Sequence, residues 1–187
     1  MKVKFQKTGE RRYAVIILRE NAPDLEMNPA PGFDELMPHD LLHFLVEREL
    51  ELRRGIFGQI AFGGTAGTFH NKPSDKLNSR ADSRLRRKTA NRGKKMLKTG
   101  LDDCARSERA TYICLYDWLS HSPDAKLQER AKEMRVSAEA TRAQMSEAER
   151  AKFSEEKLAE IRAAMDDLSR HWSALVVNES LNLEWSF

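Results

Sequence analysis

Apolar and polar residues alternate at both ends of the chain, a pattern typical of strands with one buried face. In residues 1–20, Val3 and Phe5 alternate with polar neighbours, and residues 12–18 form a β-rich apolar run. This order predicts a β-hairpin whose second strand is the more buried. Residues 180–187 alternate in the same way, with four apolar side chains on one face: Leu181, Leu183, Trp185 and Phe187. Because an isolated hairpin is marginal in water, we expect this closing strand to complete a three-stranded sheet.

Helical periodicity dominates the rest of the chain. It runs through residues 37–54 and again through the region 101–176. Within that region we expect one helix over 101–119, another from Pro123 to about Arg135, and a capping box at Ser146–Glu149. The last helix carries a heptad-like seam of six residues: Leu158, Ile161, Met165, Leu168, Trp172 and Leu175. A seam of under three heptads favours packing on the parent domain over a dimeric coiled coil.

Two intervening stretches lack a long periodic pattern. Residues 21–32 contain three prolines and a glycine, which predicts a loop without regular structure. Residues 56–62 are apolar but short, so a short helix and a buried strand both stay open. Residues 58–65 have the spacing of a phosphate-binding loop, but glycine stands where the lysine is needed. We therefore expect no nucleotide cofactor.

Length and composition favour a single, mostly helical α+β domain over residues 1–187. The chain is 40% hydrophobic and 33% charged, which suits one core with exposed helices. No apolar run approaches the about 20 residues that span a bilayer, and the N-terminus lacks an apolar signal core. We therefore expect a cytoplasmic protein without a membrane partner. Cys104 and Cys114 have no redox or zinc-knuckle spacing and are expected to be reduced thiols.

Positive charge is concentrated in residues 72–98, which hold eleven Lys or Arg residues and two acidic ones. The segment has few apolar residues, so it is predicted to be flexible or to fold only with a partner. Seven of its basic residues are candidate phosphate contacts: Arg84, Arg86, Arg87, Lys88, Arg92, Lys94 and Lys95. They predict binding to nucleic acid or to an acidic protein surface. The alternative is a solvated segment that faces the acidic C-terminal half of this chain.

The most specific chemistry lies in residues 38–47, which read Pro-His-Asp-Leu-Leu-His-Phe-Leu-Val-Glu. At about 100° per residue, His39 and His43 lie at the edge of the apolar helix face, with Asp40 and Glu47 just beyond. Histidines at i and i+4 can point at one ion, and Glu47 can add a carboxylate oxygen. This pattern predicts a divalent metal site, zinc foremost, with Asp40 as an orienting group or general base. The alternative is structural, with His39 solvated and His43 packed into the apolar face.

The stretch His39-Asp40-Leu41-Leu42-His43 resembles the HDxxH signature of the zinc-binding coenzyme Q biosynthesis proteins. That resemblance implies a zinc ion ligated by His39 and His43. In that all-helical family a downstream glutamate, in a glycine–glutamate step, completes the site. The similar step in this chain is Gly58-Gln59, and the strands predicted at both termini have no counterpart in that family.

Glu49 is predicted to project into the middle of the apolar arc of the same helix. A carboxylate there must be paired, hydrogen-bonded or protonated, and Arg53 is the expected partner at i+4. A structural ion pair and a catalytic role both stay open, so Glu49 joins Asp40 as a candidate catalytic acid. Together these features predict a metal-dependent hydrolase. The alternative is a non-enzymatic protein that binds nucleic acid or another protein through residues 72–98.

Overall fold

The structure, a computed structural model, describes residues 1–20, 22–72 and 101–186, together with residues 84, 87 and 91. Five strands form one antiparallel sheet in the order β4-β3-β2-β1-β5: β1 (Lys2–Gly9), β2 (Arg12–Leu18), β3 (Leu25–Ala30), β4 (His70–Asn71) and β5 (Ser180–Glu184). The predicted hairpin and the closing strand are both confirmed, because β5 pairs with β1 along its length.

The sheet is larger than the three strands predicted, and the prediction of an irregular loop over residues 21–32 is wrong. β3 pairs with β2, and the pairing is irregular between Tyr13 and Val15. Pro29 lies in this irregular part, where the missing backbone N–H of a proline is tolerated. β4 pairs with only two residues of β3, which is too short for an alternating pattern to reveal.

The structure gives the bounds of six helices among the described residues: α1 (His39–Glu49), α2 (Ile56–Ala61), α3 (Leu101–Ser120), α4 (Ala125–Gln144), α5 (Glu147–Arg150) and α6 (Glu155–Ala174). The mostly helical α+β class is confirmed. Of the two alternatives predicted for residues 56–62, a short helix and a buried strand, the structure has the short helix α2. The predicted capping box is formed between Ser146 and Glu149. None of the helices in the described part of the chain is long and apolar enough to cross a membrane.

Two predicted helix boundaries are wrong. α1 is shorter than residues 37–54 because the chain leaves the helix at Leu50, and Glu51 adopts a left-handed backbone with φ of 53°. α4 continues to Gln144, well past the predicted end near Arg135. Only Ala131 and Ala138 are buried on α4, so its sequence has little apolar periodicity to mark where it ends.

The core lies between the sheet and the helices, and two aromatic groups define it. Phe44 of α1 packs edge-on against Phe5 of β1 and Phe57 of α2. Trp172 of α6 packs edge-on against Tyr13 of β2. The apolar seam of α6 is buried against α1 and α3, as predicted. This packing sets α1 between the sheet and α3, and α1 carries both candidate histidines.

Candidate metal centre

His39, His43 and Glu108 converge at the contact between α1 and α3. His43 Nε2 lies 3.1 Å from His39 Nε2 and 3.5 Å from Glu108 Oε2. One ligand atom from each of the three residues lies within 4.8 Å of the others. His43 is fully buried, whereas His39 and Glu108 are exposed. The cluster therefore has a dry side and a side open to solvent.

Ser107 determines which nitrogen of His43 carries the proton. The Ser107 hydroxyl donates to Glu47 Oε1 at 2.6 Å, so its oxygen can only accept from His43 Nδ1, which lies 2.9 Å away. Thr111 Oγ1 lies 3.3 Å from the same nitrogen. When Nδ1 carries the only ring proton, His43 presents the Nε2 lone pair to the cluster. A hydrogen bond of this kind, on the far ring nitrogen, orients the histidine ligands of metal sites.

Glu47 lies on the Nδ1 side of His43 and caps α2. Its two carboxylate oxygens accept the backbone N–H groups of Ile56 at 2.7 Å and Phe57 at 2.9 Å. Burial raises the pKa of Glu47, whereas the hydrogen bond from Ser107 and those from the α2 backbone act in the opposite direction. Ser107, Ile56 and Phe57 all donate hydrogen bonds to this carboxylate, and the N-terminus of α2 favours its negative charge. We therefore assign the ionised form to Glu47. Its oxygens bind these donors and not the ligand atoms at the histidine Nε2 side.

Burial and charge favour the ligating forms of the two exposed members. The pKa of His39 is lowered by burial and by the neighbouring His43. The pKa of Glu108 is lowered chiefly by the hydrogen bond that His43 donates when its Nε2 carries a proton. At neutral pH the pair is therefore a neutral imidazole and an ionised carboxylate, the protonation states that metal binding requires.

Asp40 faces Tyr13 in the core. The Tyr13 hydroxyl lies 2.5 Å from Asp40 Oδ2 and 2.6 Å from the carbonyl oxygen of Pro31. A tyrosine hydroxyl has one proton, so a proton on Asp40 would complete both hydrogen bonds. Burial raises the pKa of Asp40, which favours that protonated form. The carboxyl group predicted as an orienting group or base thus anchors the first turn of α1 to the sheet.

Glu49 is half-buried rather than set in the middle of the apolar face. It pairs with Arg48 at 3.0 Å and with Lys157 of α6 at 3.3 Å, whereas Arg53, the partner expected at i+4, lies 3.7 Å from Glu51. The reason is the early end of α1, which places Glu49 at the helix terminus, where α6 supplies a cation. The residues that sequence reasoning missed are Glu108 and Ser107. They lie on α3, more than sixty positions after His43, and no local pattern links them to it.

Gln59, the counterpart of the family glutamate in the HDxxH resemblance, is buried on α2. Its amide nitrogen donates to the Arg54 carbonyl at 3.0 Å and contacts Cys104 Sγ at 3.0 Å. Cys104 and Cys114 are both free thiols, as expected. Gln59 therefore connects α2 to the start of α3. The carboxylate of the cluster comes from Glu108.

Two of the seven candidate phosphate contacts, Arg84 and Arg87, are helical and exposed. The other five lie outside the described residues: Arg86, Lys88, Arg92, Lys94 and Lys95. Contact with nucleic acid or an acidic surface through residues 72–98 stays a prediction.

The fold and the cluster define a mostly helical α+β protein with a two-histidine, one-carboxylate group between two helices. Comparisons with protein-family models, with curated proteins and with solved structures find no match for this chain. Its function is therefore argued from the chemistry of its own residues.

Proposed function

We propose that this protein is a metal-dependent hydrolase whose divalent ion is held by His39, His43 and Glu108. The observation that carries the proposal is the convergence of three ligand atoms: His39 Nε2 lies 3.1 Å and Glu108 Oε2 lies 3.5 Å from His43 Nε2. Three groups that can each offer a lone pair to a metal ion therefore share one small volume. A cation placed between them would be attracted to all three.

Zinc is the cation that this ligand set suits best. Two ligand bonds of about 2.1 Å can span both the 3.1 Å between the histidine nitrogens and the 3.5 Å between His43 Nε2 and Glu108 Oε2. Because zinc is usually four-coordinate, three protein ligands would leave a fourth position available. Two nitrogens and one oxygen also match the ligand preferences of catalytic zinc, which keeps such a position for water.

Each residue would contribute a distinct role. His43 would be the rigid ligand, because Ser107 and Glu47 hold its ring through Nδ1. His39 and Glu108 would complete the site from the solvent side, where a substrate can approach. A bound ion of this class lowers the pKa of its water towards neutrality and so supplies a hydroxide nucleophile. That chemistry makes hydrolysis the reaction class that the site supports best.

Metal binding is tested by measuring zinc content and zinc affinity for purified wild type, His39→Ala and Glu108→Gln. Both substituted side chains are exposed, so the fold should persist. His171→Ala is the matched control, because His171 pairs with Asp167 at i and i+4 on the exposed face of α6. We expect stoichiometric zinc in wild type and in the control, and a loss of at least about tenfold in affinity in the other two. Equal affinity in all four proteins would remove the metal site.

The hydrolase assignment has its own readout. Zinc-loaded wild type and His39→Ala would be compared on p-nitrophenyl acetate and on bis(p-nitrophenyl) phosphate. A zinc-dependent rate in wild type that is absent in the variant supports hydrolysis. Tight zinc binding without any rate above buffer on either ester would leave a metal-binding protein and remove the hydrolase.

A further inference from the structure

A second concave site lies on the other flank of α3. Its volume is about 140 Å³, and its walls come from the end of α1, from α3 and from the α5 region. On α3, Arg106 and Ala110 line it, and both lie roughly 160° around the helix from Glu108. The pocket is therefore separate from the histidine cluster, and whatever it binds is independent of the proposed metal.

The interior of this pocket is apolar and has room for one small ring. Its walls include the side chains of Leu50, Ala110, Met145 and Phe153. An apolar cavity of about 150 Å³ holds a benzene molecule. The thioether of Met145 and the ring of Phe153 both make favourable contacts with an aromatic guest. Size and lining together favour an aryl group over a long alkyl chain.

The rim carries a cation that no acid neutralises. Lys152 lines the pocket, and its ammonium group donates to the neutral carbonyl of Leu50 at 2.9 Å. Within the described part of the chain, no carboxylate lies within ion-pair distance of Lys152. Arg106 also lines the pocket, but two acids already pair with it, Asp103 at 3.1 Å and Glu149 at 4.0 Å. The rim thus offers positive charge beside an apolar interior.

Glu149, the acid among the described residues of the lining, does not cancel the charge of Lys152. Glu149 accepts hydrogen bonds from Arg109, from the Ser146 backbone and, within the capping box, faces the Ser146 hydroxyl. Burial alone would raise the pKa of Glu149, but the hydrogen bonds from Arg109 and Ser146 outweigh it and lower the pKa to about 2. Glu149 is therefore ionised at neutral pH and paired with both Arg109 and Arg106, which leaves Lys152 to attract an anion.

We propose that this pocket binds a small aryl monocarboxylate, with the ring among Leu50, Met145 and Phe153 and the carboxylate at Lys152. Such a ligand matches both features at once, because the ring removes apolar surface from water and the carboxylate pairs with the Lys152 ammonium group at the rim. Neither feature alone selects it, since a neutral aryl compound leaves Lys152 unpaired and a small inorganic anion leaves the interior unfilled.

The test uses phenylacetate as the probe and phenylacetamide as its uncharged counterpart, in isothermal titrations against the full chain. We expect phenylacetate to bind wild type with a Kd below about 1 mM and the amide at least about tenfold more weakly. Lys152→Gln should lose about tenfold in phenylacetate affinity. Lys132→Gln is the matched control, because Lys132 is exposed on α4 and paired with Glu129.

A second pair of variants locates the ring. Ala148 lines the pocket and Ala151, three residues on, does not, while both are exposed. Ala148→Leu should fill the pocket and abolish binding, whereas Ala151→Leu should bind as wild type does. The inference is overturned if phenylacetate fails to bind at about 5 mM, if acid and amide bind equally, or if the two leucine variants behave alike. Titrating His39→Ala in parallel should give the wild-type Kd, which keeps this result apart from that of the metal site.

Discussion

Ser107 on α3 donates a hydrogen bond of 2.6 Å to Glu47 on α1, and neither side chain has any exposed surface. The same serine oxygen lies 2.9 Å from His43 Nδ1. One hydroxyl group thus joins the carboxylate that caps α2 to the histidine at the centre of the cluster. A buried group with two such contacts would serve both the stability of the fold and the proposed metal site, and substitutions can separate the two roles.

Replacing Ser107 tests the orienting role. We expect Ser107→Ala to weaken zinc binding about tenfold, because groups that orient a ligating histidine contribute about tenfold to a hundredfold to metal affinity. The unfolding free energy should fall by about 1–3 kcal/mol, since Glu47 and His43 both lose a buried partner. Isothermal titration and urea denaturation measure the two effects. Ser169→Ala, at another buried serine, should leave zinc affinity unchanged; a similar loss there would point to a general effect of destabilisation.

Glu47 and Glu108 should respond oppositely to removal of their charge. Glu47→Gln should lower the unfolding free energy by about 1–3 kcal/mol, because the cap on α2 loses a charged acceptor. Glu108→Gln should change stability by less than about 0.5 kcal/mol, because its side chain is 59% exposed. Zinc affinity should fall strongly in Glu108→Gln. A stronger loss of zinc in Glu47→Gln at unchanged stability would return the ligand role to Glu47, as first predicted from the helix pattern.

Gly55 should not tolerate a side chain. A Cβ at this position would lie 2.3 Å from the carboxylate carbon of Glu47, so Gly55→Ala must displace the cap on α2. We expect a loss of about 1–3 kcal/mol in unfolding free energy, as for other overpacked buried sites. Gly9→Ala is the control, since its Cβ would meet only Arg12 at an ordinary contact distance of 3.5 Å. Equal losses in urea denaturation of the two variants would contradict the close approach.

The pair of Glu149 and Arg109 should make stability depend on acid pH. The pKa of Glu149 is lowered from an ordinary 4.5 to about 2, so the folded chain holds the ionised form more strongly than the unfolded chain does. The stabilisation is therefore complete above pH 4.5 and is lost as the pH falls from about 4.5 to 2. We expect wild type to exceed Glu149→Gln by about 1–2 kcal/mol at pH 6, with the gap closing towards pH 2. A gap that is independent of pH would contradict the lowered pKa.

Much of the fold was accessible from local pattern, because strand alternation and helical periodicity are properties of neighbouring residues. The hairpin, the closing strand at Leu181 and Leu183, and the buried seam of α6 all follow from such patterns. β3 and β4 could not be predicted from local pattern. β3 contains Pro29 and pairs irregularly with β2, and β4 pairs with only two residues of β3. The length of α4 could not be predicted either, because its buried residues are small alanines that give little apolar periodicity.

For the candidate site, the sequence by itself determined that His39 and His43 share one side of a helix at the border of an apolar face. That follows from the four-residue spacing alone, because one turn of helix brings such side chains together. Only the tertiary structure decided which carboxylate meets them. Packing of α3 on α1 brings Glu108 to the histidine Nε2 atoms and Ser107 to Nδ1. Glu47, which the helix pattern predicts as the ligand, accepts hydrogen bonds from the N-terminus of α2 instead. A buried carboxylate is most stable where otherwise unpaired backbone N–H groups can reach it.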